Sequence, residues 1–347
     1  MKIAFFAAVS FDSVLGGRTR RLADILARSH QVHFIEIPSL RRPSFYRVDQ
    51  PVANVFRYKL SPLPGILHEI AFSRQCWSRI AVEFLHRFLP MDAHAVVSTP
   101  FWLPVIKQLR FKSVTYDCLD HIRVQLPNCS LQTALKLEQE LVGISDRLFC
   151  VSKKLVSHWE ACCGKIVHFV PNGAPESYLQ LPLQYPDTPT VGFCGALYEW
   201  LDYSLLEQTV SALSAIPFSF TGPVRNKQAT ARLSKFPNVT IRPAIPFDQV
   251  PCEMQKYSVG LIPFVKNDIS FFCNPLKIYE YLALGKPVLS TVPGEDDLPV
   301  TYANSTEDFI SHLEKLLVNT VSGEICRKAV SPFTWERIAS QIERLLQ

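Results

Sequence analysis

The sequence predicts an α/β chain of two doubly wound domains, each a mainly parallel sheet covered by helices, facing one another across a central cleft. Three observations carry this. The 347 residues exceed one ordinary core and suit two domains of about 150–180 residues each. Short apolar runs of strand type alternate with amphipathic helical stretches, the order a parallel sheet requires because each crossover needs a connecting segment. The alternation breaks once, over residues 171–189, where Pro171, Pro175, Pro182, Pro186 and Pro189 mark a linker. At 48% hydrophobic and 19% charged residues, the composition is that of a folded globular chain.

Taken in order, residues 2–9 read as a buried first strand rather than a signal peptide. The apolar run is brief, and Gly16-Gly17 with an Arg-rich helix follows directly. That helix, 18–28, places Leu22, Ile25 and Leu26 on one face. Strands follow at 32–37 and 55–60, a long helix at 66–88, strands at 95–98 and 113–116, a helix at 131–143 and a strand at 147–151. Beyond the linker come strand 190–194, a helix from about Asp202, strands 218–221, 239–241 and 259–263, a helix opening at Asn274, and strand 287–291. Residues 335–346 close the chain as an amphipathic helix. The expected domains are 1–170 and 190–330, both Rossmann-like, with ligands beyond the carboxyl ends of their strands.

Composition narrows the chemistry. Ten cysteines are scattered, Cys162 and Cys163 are adjacent, and no CxxC or Cys/His cluster has metal spacing. Reduced, buried thiols in a reducing compartment are expected, without structural zinc. No apolar stretch reaches the length of about 18–20 residues that a membrane span needs. The nearest, 93–106, is broken by Pro100 and Pro104. Charge is uneven: residues 1–170 hold 22 Lys and Arg against 13 Asp and Glu, whereas 171–347 hold 14 against 18. A basic first half suits an anionic partner. Nucleic acid is not expected, since no helix-turn-helix, aromatic RNA-binding motif or zinc finger accompanies the charge. Arg18, Arg20, Arg21, Arg41, Arg42 and Arg47 cluster early, and the 66–88 helix adds Arg74, Arg79 and Arg87 beside Ile70, Phe72, Trp77, Ile80 and Phe84. Such a helix fits an anionic lipid surface. It fits equally a packed helix with a solvated basic side.

The segment richest in chemistry runs from Asn274 to Val288, Asn-Pro-Leu-Lys-Ile-Tyr-Glu-Tyr-Leu-Ala-Leu-Gly-Lys-Pro-Val. Asn274 is a suitable N-cap, Pro275 fits the first helical position, and Gly285 suits the left-handed residue that ends a helix. A helix start offers N–H groups and partial positive charge to a phosphate. Lys277 in the first turn opposes that dipole, which a bound anion at Asn274, Leu276 and Lys277 would explain. Glu280, one turn deeper, is placed to accept both hydroxyls of a ribose. The alternative is a surface helix with an i,i+3 Lys–Glu pair.

This stretch resembles the donor-binding helix of GT-B glycosyltransferases similar to family 4, whose pattern is roughly P-x-K-x-x-E-Y-x-A-x-G-x-P-V. The resemblance extends over most of the chain. Gly16 and Gly17 with the helix after them resemble the family's glycine loop, Val170–Pro175 its interdomain segment, and Val191–Ala196, with Gly195, the first strand and loop of its donor domain. It implies the GT-B architecture, a metal-independent and cofactor-free enzyme that retains anomeric configuration, and a nucleoside-diphosphate sugar as co-substrate. It further implies that the closing helix, within 331–347, crosses back to the first domain, and that Glu280 binds ribose. Two departures stand out. The upstream glutamate of the family falls on Phe272, and the Arg/Lys pair that clamps the diphosphate after Gly195 is replaced by Ala196 to Asp202. Arg225, after Thr221-Gly222-Pro223, is the candidate for the missing cation.

On the acceptor side, Thr115 to His121 end a strand with Asp117, Asp120 and His121. Two carboxylates and an imidazole there suit proton transfer or the orientation of an acceptor hydroxyl. The alternative has Asp120 capping a turn and Asp117 pairing with an arginine. Ser98 to Trp102 also end a strand, as an acceptor-pocket wall or as a simple turn. No Asp-x-Asp pair of metal-binding type is present. The expected activity is hexosyl transfer to a saccharide or lipid-linked saccharide in cell-envelope polysaccharide synthesis. It would take place in the cytoplasm or at the inner face of the plasma membrane. A nucleotide-sugar epimerase of the same fold and a non-catalytic nucleotide-sugar-binding protein are the alternatives.

Overall fold

A computed structural model describes residues 1–13, 17–38, 46–61, 71–126, 129–295, 297–319 and 321–347, with side chains from 75 onward in the helix Ala71–Phe88. Gly16, Arg41, Arg42, Ile70 and the start of the expected 66–88 helix lie outside the described residues, as do the side chains of Phe72 and Arg74. The chain divides into two compact units, Met1–Pro171 with Trp335–Gln347, and Asn172–Thr334.

Among the described residues the first unit is built on eight strands: β1 (Lys2–Phe6), β2 (Gln31–Ile35), β3 (Arg47–Val52), β4 (Val55–Lys59), β5 (His94–Val97), β6 (Ser113–Cys118), β7 (Arg147–Cys150) and β8 (Val167–Phe169), in spatial order β3-β4-β2-β1-β5-β6-β7-β8. All neighbours are parallel except β3, which runs antiparallel to β4. The central strands are buried on both faces, so they read in sequence as continuous apolar runs. β3 was not expected. Its Arg47-Val-Asp-Gln-Pro-Val is polar and largely exposed, the composition of an edge strand, and Asn54 turns it into β4 with φ of 59°. The order reverses at β1, between β2 and β5, the place where doubly wound sheets gather ligand groups.

The helix Gly17–Leu26 buries Leu22, Ala23 and Leu26, and the closing helix Trp335–Leu346 packs on it. Gln341 Nε2 adds a hydrogen bond to the Phe169 carbonyl at 2.9 Å. In the helix Ala71–Phe88, Trp77, Ala81 and Leu85 face inward, while Arg79, Ile80, Arg87 and Phe88 are exposed. Among the described residues no helix is long and apolar enough to cross a membrane.

Among the described residues the second unit carries six parallel strands: β9 (Val191–Cys194), β10 (Phe218–Thr221), β11 (Val239–Arg242), β12 (Val259–Ile262), β13 (Val288–Ser290) and β14 (Val300–Tyr302), in order β11-β10-β9-β12-β13-β14. Of the proline-rich stretch 171–189, Pro171 ends the first unit and residues 172–189 begin the second. The stretch contains the helix Glu176–Gln180, whose Tyr178 is buried with Ile278 and Leu282 in one apolar cluster.

Candidate functional site

In the second unit three segments meet at the carboxyl edge of the sheet: the turn after β9, the loop after β10, and the helix Leu276–Ala283. The helix is anchored by Tyr281, which is fully buried and accepts the Cys194 N–H on its phenol oxygen at 2.9 Å. The second turn of the helix therefore lies next to the β9 end. Burial pushes the Cys194 thiol up to about 11, and Lys277 and Glu280 are the first charges that act on it.

The start of this helix differs from expectation. Pro275 holds the cap position with extended backbone, and Leu276 is the first helical residue. Asn274 does not cap the helix. It is buried, donates from Nδ2 to the Tyr279 hydroxyl at 2.9 Å and to Glu295 Oε1 at 3.2 Å, and has no partner for Oδ1 among the described residues. Its backbone carbonyl accepts from Asn172 Nδ2 at 2.8 Å. Lys277 and Glu280 form the i,i+3 pair, Nζ to Oε2 at 2.5 Å, with the glutamate side chain only 2% exposed and the lysine 23%. A buried carboxylate needs such a partner. This explains the lysine at the positive end of the helix dipole and leaves Glu280 Oε1 unengaged by Lys277. Gly285 ends the helix as expected, with φ of 74°. Lys286 N–H bonds to the Tyr281 carbonyl and Gly285 N–H to that of Leu282, a Schellman closure.

Arg225 is brought to this edge by its backbone. The N–H groups of Arg225 and Asn226 both bond to the Leu197 carbonyl, at 2.9 and 3.0 Å, and Gly195 N–H bonds to the Thr221 carbonyl at 2.9 Å. The two loops approach so closely that a Cβ on Gly222, whose φ is 153°, would stand 1.9 Å from the Gly195 oxygen. The Arg225 side chain is exposed, and its guanidinium has no partner among the described residues. Asn172 and Glu295 were not singled out from sequence; each acts through Asn274, across 102 and 21 residues of chain.

In the first unit, Asp117 stands at the end of β6 and is 1% exposed. Both of its oxygens accept from Arg18, Nε to Oδ2 at 3.1 Å and Nη2 to Oδ1 at 3.0 Å. Arg18 Nη1 also donates to the Pro171 carbonyl at 2.5 Å. The carboxylate expected to move a proton or orient an acceptor is thus committed to a buried ion pair, the alternative its spacing allowed. Gly17 begins the helix that carries Arg18.

Asp120 is different. It is half-buried, burial pushes its carboxyl up to about 7, and among the described residues its side chain has no partner. Its loop is held through backbone: Gln125 Nε2 donates to the Asp120 carbonyl at 2.8 Å. The same amide meets the Tyr116 hydroxyl at 3.1 Å, which in turn donates to Glu138 at 2.6 Å. The turn expected of Asp120 is capped instead by His121, whose Nδ1 accepts the Arg123 N–H at 3.3 Å. Thr99 caps the turn Pro100–Trp102, matching the simple strand-to-helix reading of that segment. Among the described residues no group of three or more His, Cys, Asp or Glu side chains is arranged to hold a metal ion.

No protein-family model matches the chain. It is 24% identical over 314 residues to TuaH of Bacillus subtilis (strain 168), described as a proposed teichuronic acid biosynthesis glycosyltransferase, covering 81% of this chain and 74% of TuaH. Among solved structures it resembles sucrose-phosphate synthase (tll1590) from Thermosynechococcus elongatus, with a TM-score of 0.74 at 16% identity over 99% of this chain and 98% of the other. A structure described as trehalose-6-phosphate from E. coli bound with UDP-2-fluoro glucose matches with a TM-score of 0.73 at 10% identity, over 100% and 99% of the two chains. A glycosyltransferase from Rickettsia africae ESF-5 matches with a TM-score of 0.71 at 11% identity, over 99% and 97%. With two mainly parallel, doubly wound sheets and full-length likeness to these structures, the chain has the GT-B fold of glycosyltransferases.

Proposed function

We propose that the protein is a glycosyltransferase that moves a sugar from a nucleoside-diphosphate donor to a saccharide or lipid-linked saccharide, with retention and without a metal or other cofactor. The donor diphosphate lies at the opening turn of the Leu276 helix beside Gly195. Arg225 is its cation, and Glu280 holds the ribose. The observation that carries this is Glu280, a carboxylate 2% exposed whose Oε1 is unengaged by Lys277, on a helix pinned to the end of β9. A helix start attracts an anion through its N–H groups and dipole. Carboxylate oxygens accept hydroxyl donors well. Asn274 Oδ1, without a partner among the described residues and on a residue 7% exposed, adds an acceptor whose desolvation calls for a donor.

Asp120 and His121 serve the acceptor side, with Asp120 as the titrating group and the Arg18–Asp117 pair as its support. The UDP-2-fluoro glucose in the E. coli neighbour supports a nucleotide-sugar donor, and the description of TuaH supports an acceptor in envelope-polysaccharide synthesis. The exposed Arg79 and Arg87 beside Ile80 and Phe88 support work against an anionic lipid surface at the inner membrane face.

Thermal unfolding in the presence of UDP, GDP, ADP and dTDP tests the donor reading. One diphosphate at 100 times its dissociation constant should add about 2.7 kcal/mol to stability. No shift with any of the four would contradict the assignment.

A further inference from the structure

The turn after β9 carries a feature that the diphosphate reading does not use. Tyr198 and Trp200 stack with ring centroids 4.3 Å apart and planes 21° from parallel. Trp200 is 42% exposed, whereas the four other tryptophans, Trp77, Trp102, Trp159 and Trp335, are each at most 6% exposed. Among the described residues, neither the Trp200 indole N–H nor the Tyr198 hydroxyl has a hydrogen-bond partner.

The pair is held rigidly from both flanks. Leu197 accepts from Arg225 and Asn226, Val265 N–H donates to the Trp200 carbonyl at 2.8 Å, and Asp202 N–H donates to the Pro263 carbonyl at 2.8 Å. Asp202 then caps the next helix by accepting the Leu205 N–H at 3.0 Å. A flat aromatic surface, fixed in place and left in water with two polar tips, is preorganised for a ligand. It stands on the sheet edge that also carries Gly195 and Arg225.

We infer that the Tyr198–Trp200 stack is the platform for the transferred sugar of the donor. This rests on the donor site proposed above. A pyranose ring offers one face of C–H groups, weakly positive, that suits the negative face of an aromatic ring. Its hydroxyls lie at the rim, where the indole N–H and the phenol can reach them. A phosphate would use neither ring face, and a nucleobase, which also stacks on aromatic rings, would be shielded equally in the bare diphosphate. The platform therefore discriminates between sugars by which ring face is free of axial hydroxyls.

The single exposed tryptophan makes the test direct. UDP with UDP-glucose, and GDP with GDP-mannose, are titrated while Trp emission is quenched with acrylamide. For the pair that binds, the nucleotide sugar is expected to shield Trp200 and the bare diphosphate to leave it open. Trp200→Ala should weaken the nucleotide sugar by about fivefold to tenfold and leave the diphosphate unchanged, with Trp200→Phe between. Equal shielding by both ligands, or equal affinity loss for both, overturns the platform while leaving the donor site in place. Failure of these four ligands and of ADP and dTDP to bind the unaltered protein overturns the donor site, and the platform with it.

Discussion

Asp117 and Asp120 sit three residues apart, and their surroundings give them opposite duties. Asp117 has both oxygens on the Arg18 guanidinium, and both side chains are buried. Removing one partner of such a pair strands the other charge, so Arg18→Ala or Asp117→Ala should each cost about 3–5 kcal/mol in urea unfolding. A loss under about 1 kcal/mol would mean that the pair is solvated. Asp120 has no such partner among the described residues, and burial, which disfavours the charge, pushes its carboxyl up to about 7. If it accepts the proton, it must be ionised. kcat/KM should then fall tenfold per unit below about pH 7 and be flat above it. In Asp120→Asn that limb should vanish with the residual activity; its persistence would assign it to another group. The sequence allowed both fates for each carboxylate. It could not show which arginine would arrive, because Arg18 lies 99 residues from Asp117.

At the scale of elements, the Leu276 helix was legible in its end but not in its beginning. Gly285 is local chemistry, a left-handed residue after a helix, and it closes the helix as the pattern indicates. At Asn274 the sequence indicates a cap, because Asn before Pro suits that role. Its amide instead serves Tyr279 and Glu295, partners supplied by tertiary packing. Arg225 was likewise only a candidate. What places it is the parallel pairing of β9 and β10, which brings Leu197 and Val224 into a bridge. That contact depends on Gly222, so Gly222→Ala should destabilise the protein by about 2 kcal/mol or more. Thermal unfolding of the unliganded variant checks this, and an unchanged midpoint would show that the two loops are free to separate.

At the scale of the whole molecule, the two sheets were legible because parallel strands buried on both faces must be continuous apolar runs. β3 escaped because an edge strand exposed to water follows no apolar pattern, and β14 because three half-buried residues are too short to show one. The functional claim rests on one carboxylate in the second unit. Calorimetric titration of UDP and GDP into the native protein and into Glu280→Gln tests it most directly. A hydrogen bond to a charged group contributes about 1.5–3 kcal/mol, so the diphosphate that binds the native protein should bind the variant at least about tenfold more weakly. Equal affinity for both forms would contradict the assignment of Glu280 to the ribose.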